Sequence, residues 1–262
     1  MSSNRIRCEI QGAVARITLD RPDVHNAFDD RLIARLTETL EALAADPAVR
    51  VVVLAAVGKS FSAGADLAWM QRMATHGAAE NLADARRLAH LMATLDRLAK
   101  PTLALVQGPA IGGGVGLVAC CDMALAARSA FFQLSEVRLG LIPAVISPYV
   151  VGAMGARAAR RYMLTAERFD AEEARRLGLV HQVVPDGELE AAGEALIGAL
   201  LAGGPGAQMA AKDLILAVAG RPPDDALIED TAGRIARQRA GAEGREGVAA
   251  FLDKRRPSWV ED

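Results

Sequence analysis

Residues 106–122, VQGPAIGGGVGLVACCD, constrain this chain more than any other stretch. They begin as the end of the apolar strand of residues 103–106, which Gly108 and Pro109 break. Gly112, Gly113 and Gly114 then lead into an apolar run, residues 115–121, that reads as a buried helix. Three glycines at a strand-to-helix junction serve one of two ends. Either they let the helix pack close to a sheet, or they leave backbone N–H groups approachable at a helix N-terminus, where no Cβ shields them. The second arrangement seats an anion, or a carbonyl oxygen that becomes one. A second stretch of the same kind, SFSAGADL at residues 60–67, follows the apolar strand 51–55 and precedes an amphipathic helix. Two such turns in one chain can aim two N–H groups at one point.

A chain of 262 residues, 52% hydrophobic and 24% charged, is long enough for one large core, or a core with an appendage. The net charge of −2 provides no global basic field for nucleic acid. The longest apolar run, residues 110–121, is glycine-laden and falls short of the ~20 residues a membrane helix needs. The first twelve residues hold no apolar leader core. Cys8, Cys120 and Cys121 are odd in number and two are adjacent, so the expectation is buried thiols in a reducing cytoplasm.

Ile6, Cys8 and Ile10 alternate with Arg5, Arg7 and Glu9, and residues 13–19 alternate likewise. Joined at Gln11-Gly12, they predict a hairpin with one wet face. Asp29 or Asp30 caps a helix with the stripe Leu32, Leu36, Leu40 and Leu43, ended by Asp46-Pro47. Leu67, Met70 and Met73 share a helical face, as core filler or as a pocket wall. His76-Gly77 breaks that helix. A long amphipathic helix through Leu82, Ala85, Leu88, Ala89, Met92, Leu95 and Leu98 closes at Lys100-Pro101. Short strands are expected at 122–126 and 130–133, helices at 144–165, a helix from Asp170 to Gly178, and a last strand at 179–184. The glycine run 203–206 divides a core, residues 1–202, from three helices in residues 203–262, the last ending near Arg256-Pro257.

Several motifs fail on inspection. Gly58-Lys59-Ser60 resembles the end of a phosphate loop, but the opening glycine would fall at Val53, inside a strand. GGGVG has Leu117 where a dinucleotide fingerprint needs its third glycine. His25, His76, His90 and His181 share no metal-ligand spacing. Arg157, Arg160 and Arg161 read as a solvated face, with only Tyr149 and Tyr162 as nearby aromatics. Glu136 stands among Leu134, Val137, Leu139 and Leu141. A carboxylate in that company is either paired with Arg138 or Arg128, or is an acid/base of raised pKa.

SFSAGADL, QGPAIGGGVGLVACCD and LSEVRLGLIP, in this order and spacing, resemble the crotonase (enoyl-CoA hydratase/isomerase) superfamily from about Ile6 to the C-terminus. RPDVHNAF, AGADLAWMQRM and SEVRLGLIPAVISPYVV look most like its bacterial 3-methylglutaconyl-CoA hydratases. The resemblance implies an α/β fold, a spiral of strand-strand-helix (ββα) repeats with a C-terminal helical trimerisation region, assembled as a homotrimer or a hexamer. It implies that the N–H groups of Ala65 and Gly113 hold the thioester oxygen, and that Glu136 is the catalytic carboxylate. It places the substrate's CoA near Ala63 and Asp66, with Phe251 and Lys254 supplied from the C-terminal helix of the same or a neighbouring subunit. Trp69, Met70, Gly112 and Gly116 complete the substrate-binding set, with Val145 and Tyr149 as further walls. CoA belongs to the substrate, so no separate cofactor and no metal are expected. One position departs from the pattern: Gly116 stands where many hydratases carry a second glutamate. A single-glutamate hydratase and an enoyl-CoA isomerase both fit that departure. The glycine is also expected to free volume for a branched acyl group, and Arg72 or Arg138 to meet a substrate carboxylate.

Overall fold

A computed structural model describes residues 6–260 of the chain. Arg5, expected on the wet face of the first strand, lies outside them. The described residues divide into two compact units, one formed by residues up to 98 together with 102–194, the other by 99–101 together with residues from 195 onward.

The first unit is built on a six-stranded sheet. Strand β1 (Ile6–Gln11) pairs antiparallel with β2 (Val14–Leu19) across a tight turn in which Gly12 adopts φ +55°. The sheet continues in parallel through β3 (Val51–Ala56), β4 (Thr102–Val106), β6 (Met123–Ala127) and β9 (Gln182–Val184). Parallel strands lie between covered faces, and VVVLAA, TLALV and MALAA are accordingly almost wholly apolar. A smaller sheet joins β5 (Ala110–Ile111), β7 (Phe131–Gln133) and β8 (Arg168–Asp170).

Helix α1 (Asp30–Ala45) starts where Asp29 accepts the Leu32 N–H, and buries Leu32, Leu36, Leu40 and Leu43 as its spacing predicts. Helix α2 (Leu67–Met73) is capped by Asp66, and α3 runs over Ala78–Asp96. Helix α4 (Gly113–Cys120) is buried along most of its length. Helix α5 (Ser147–Thr165) is interrupted at Gly155, and α6 (Ala171–Leu177) is capped by Asp170 and stopped by Gly178 in the left-handed region. Among the described residues no helix is long and apolar enough to cross a membrane.

Several expectations need correction. The face of β1 bearing Cys8 and Ile10 is exposed, Ile10 at 49%, because β1 is the sheet's edge strand and α1 packs only against part of it. Cys8 is therefore a surface thiol, whereas Cys120 and Cys121 are buried. In α2 the buried residue is Trp69, while Leu67 is 78% exposed. Helix α3 ends at Asp96 rather than at Lys100, and Leu82 faces outward. The last strand begins at Gln182, since the Leu179 and Val180 N–H groups close the end of α6 on the Ala174 carbonyl. Strand β8, at Arg168–Asp170, was not anticipated; it pairs antiparallel with β7.

Helix α7 (Leu189–Ala202) carries the chain from the first unit into the second. There α8 (Pro205–Val218), α9 (Asp225–Ala240) and α10 (Ala242–Leu252) follow, ending before Arg256. The Glu243 carboxylate accepts the N–H groups of Gly206 and Ala207 at the start of α8 (2.9 and 2.6 Å). Arg234 ties Asp230 to Asp213 across α9 and α8. Leu227 is buried, whereas Met209, Leu216, Ile228, Ile235, Val248 and Phe251 all face outward.

Candidate active site

The two glycine turns lie side by side. Ser62 and Ala110 form a parallel bridge, with Ser62 N–H donating to the Pro109 carbonyl (3.1 Å) and Ile111 N–H to the Ser62 carbonyl (2.9 Å). Phe28 clamps the first turn from its other edge: its N–H donates to the Gly64 carbonyl (2.6 Å), and its own carbonyl accepts the Asp66 N–H (2.7 Å). Gly64, at φ +83°, lies so close to the second turn that an added Cβ would stand 2.8 Å from the Ile111 oxygen and 3.7 Å from Gly113 N. The neighbouring glycines permit equally close approaches. A Cβ on Gly114 would meet the Ser62 carbonyl at 2.7 Å, and one on Gly113 would meet the Phe28 ring at 2.7 Å. Both uses foreseen for the glycines therefore coexist: they allow close packing, and they leave donors bare. Among the described residues, no carbonyl accepts the Ala65 N–H or the Gly113 N–H. Gly113 opens α4, so its uncommitted donor coincides with the positive end of the helix dipole.

Glu136 sits beside that helix start, on a single 3-10 turn formed by Glu136–Leu139. Its Oε1 would be 3.1 Å from a Cβ on Gly112, whose φ +53° and ψ −119° suit only glycine. Its Oε2 is shielded from solvent and has no hydrogen-bond partner among the described residues. Burial pushes this carboxyl above the usual carboxylate range. The ion-pair reading finds no partner among the described residues: Arg138 is exposed, and Arg128 lies near Asp186. The arrangement joins two uncommitted donors to one poorly solvated carboxyl, which is the equipment for stabilising an oxyanion while moving a proton.

Asp66 is buried and fully engaged. It caps α2 through Ala68 and Trp69 N–H and accepts from Arg21 Nη2 (2.9 Å). Burial raises its pKa, but the Trp69 N–H, Arg21 and the Ala68 N–H outweigh that and hold it below the usual range. Arg21 also meets Asp29 at 3.5 Å and donates to the Ala27 carbonyl (2.5 Å). Ala63 is half-buried and donates to the His25 carbonyl (2.9 Å), Trp69 belongs to the core, and Met70 is half-buried. Phe251 and Lys254 lie in the second unit, Phe251 at the end of α10 and 82% exposed, and Lys254 just beyond it at φ +54°. Arg72 pairs with Asp30 at 2.9 Å.

The volume expected beside Gly116 is not open. A Cβ there would overlap Ile146 Cγ2 and stand 3.3 Å from Met92 Cε. Sequence reasoning passed over Ile146 and over the structural role of Phe28. Neither carries reactive chemistry, and the only hint of either was a glycine in a helix that a distant side chain could approach. Among the described residues, no group of three or more His, Cys, Asp or Glu side chains is placed to hold a metal ion.

The model of the enoyl-CoA hydratase/isomerase family matches residues 9–262. The chain belongs to that family. A crotonyl-CoA hydratase of Syntrophomonas wolfei is 32% identical, the match covering 99% of this chain and 99% of the relative. Among solved structures, an enoyl-CoA hydratase from Shewanella pealeana superposes with a TM-score of 0.95 at 48% identity, over 98% of this chain and 97% of that one. AtuE of Pseudomonas aeruginosa gives a TM-score of 0.94 at 38% identity, over 98% and 100%. The fold is the α/β crotonase fold with a helical C-terminal region, as the motifs imply.

Proposed function

We propose that this chain hydrates the α,β double bond of an enoyl-CoA thioester, and that its substrate is 3-methylglutaconyl-CoA. The observation that carries hydration is Glu136: a half-buried carboxyl whose Oε2 has no hydrogen-bond partner among the described residues, set against a turn whose Gly113 N–H is uncommitted. The thioester oxygen accepts hydrogen bonds from Ala65 and Gly113. Glu136 takes a proton from water as the water oxygen bonds to C3. The π electrons move toward C1, and the oxygen gains the charge of an enolate. Glu136, now protonated, returns a proton to C2 as the enolate collapses, so one carboxyl serves if both additions occur on one face. Each oxyanion donor is worth ~3–4 kcal/mol to such a step.

The methylglutaconyl assignment rests on the likeness of RPDVHNAF, AGADLAWMQRM and SEVRLGLIPAVISPYVV to that group. Arg138, exposed two residues beyond Glu136, is the candidate for the substrate's distal carboxylate, since Arg72 is held by Asp30. Ala63, Asp66, Phe251 and Lys254 are assigned to the CoA moiety, and no separate cofactor is invoked. Self-association as a trimer or hexamer is supported by the apolar side chains that the C-terminal helices leave exposed. The cytoplasm is the proposed location.

A second reading, an enoyl-CoA isomerase, is favoured by Gly116, which supplies no second acid. A panel of 3-methylglutaconyl-CoA, crotonyl-CoA and a 3-enoyl-CoA, assayed for hydration and for double-bond migration, separates the two. Hydration fastest with methylglutaconyl-CoA supports the proposal. Migration without hydration overturns it.

A further inference from the structure

One stripe of α4 carries a graded set of neighbours. Gly116 and Cys120, four residues and ~6 Å apart, fall on one side of the helix, and Gly112 is the residue that precedes its first turn. The Gly116 N–H donates to the Gly112 carbonyl (3.3 Å), which places Gly116 one turn beyond the oxygen seat. The three positions meet different groups. Gly112 meets the Glu136 carboxyl, Gly116 meets Ile146, and the buried Cys120 thiol donates to Met92 Sδ (3.7 Å). Ile146 and Tyr149 are themselves three residues apart at the start of α5. From the seat outward, these positions pass from the Glu136 carboxyl to an isoleucine methyl seated on a glycine, then to a thiol packed on Met92.

We propose that Ile146, seated on Gly116, is the specificity-determining residue that fixes how far an acyl chain reaches along α4. The inference rests on the enoyl-CoA reading. With the thioester oxygen on the Gly113 N–H and C2–C3 beside Glu136, the next acyl carbons run past the first turn of α4. Ile146 is buried there, and Cγ2 takes the place that any side chain at position 116 would need. The adjoining Val145 and Tyr149 are half-buried apolar groups on the same core, so the chain end meets hydrocarbon on that side. Gly116 and Ile146 act as a pair: the glycine makes room for the methyl, and the methyl closes the room the glycine leaves.

The test is a binding series with saturated acyl-CoAs, which need no turnover: acetyl-, butyryl-, hexanoyl- and octanoyl-CoA titrated calorimetrically. The proteins are wild type, Ile146→Val, Ile146→Ala and Gly116→Ala/Ile146→Ala. Wild-type affinity should stop rising at one chain length. Ile146→Ala removes three carbons and should move that limit outward by two to three carbons, with about fourfold in affinity for each methylene newly buried. The hexanoyl-to-butyryl ratio should then rise roughly tenfold or more. Ile146→Val keeps Cγ2 and should keep the wild-type ratio, and the double variant, whose new methyl refills the gap, should return toward it. Ratios that stay constant across the variants while melting temperature falls would show that Ile146 is core packing alone, and would overturn the proposal with the enoyl-CoA reading intact. Failure of wild type to bind any of the four esters would overturn that reading, and this proposal with it.

Discussion

Replacing Glu136 with glutamine tests the site through two quantities that move in opposite directions. Glutamine preserves the shape of the carboxyl but carries no proton between water and carbon. Loss of a positioned acid/base lowers kcat by ~10²–10⁴, or about 2.7–5.4 kcal/mol of barrier. The fall should be equal for hydration and dehydration, since both cross one transition state. Stability should change the other way. Burial raises the Glu136 pKa in the folded chain above its unfolded value; the residue's own backbone N–H offsets this only in part, and Oε2 has no partner among the described residues. As pH rises from the ordinary carboxylate range, the unfolded chain loses its proton first, and ionisation progressively favours unfolding until the folded-state pKa is passed. Each unit of displacement corresponds to about 1.4 kcal/mol. The difference in unfolding free energy, variant minus wild type, should therefore grow with pH across that window and then level off. Urea unfolding at pH 4, 5.5, 7 and 8.5, with turnover and acyl-CoA affinity on the same preparations, measures all three. Turnover within a few-fold of wild type would refute the assignment. So would a variant that becomes less stable relative to wild type as pH rises, because that is the signature of a paired structural carboxylate.

Other substitutions probe the scaffold. Gly113→Ala retains the N–H donor, yet its Cβ would press on the Phe28 ring; it should cost ~1–3 kcal/mol of stability by urea unfolding and reduce turnover, and a variant as stable as wild type would contradict the close packing. Arg21→Ala leaves Asp29 and Asp66 buried without their shared guanidinium; a loss of ~3–5 kcal/mol is expected, and a loss under 1 kcal/mol would show that the aspartates are satisfied without it. Light scattering should find a trimer or hexamer at micromolar concentration, whereas a stable monomer would count against oligomerisation through the exposed faces of α8–α10.

Elements whose patterns are local were legible in the sequence. The stripe of α1, the Asp29 and Asp170 caps, the Gly178 stop and the apolar parallel strands all depend on residues a few positions apart. What escaped depends on contacts between distant residues. Cys8 and Ile10 alternate as a half-buried strand should, but β1 is an edge with little laid over it. Strand β8 is three residues long and exists through its pairing with β7. In the site, the glycine turns and Glu136 were visible because their chemistry is unusual for their surroundings. The Ile146 methyl on Gly116 was not, because a buried isoleucine looks the same in sequence whether it packs a core or blocks a pocket.

The bridge between Ser62 and Ala110 has a kinetic consequence. It joins segments far apart in the chain, and the hydrogen bonds of Phe28 to the first turn reach back almost as far. The proposed oxygen seat takes one donor from each glycine turn, so it is complete only once these distant segments have met. Such contacts form after the local ones, since the chain must lose loop entropy before they return any stability. On refolding from urea, helical signal should therefore appear before acyl-CoA binding, and the return of binding should coincide with burial of Phe28.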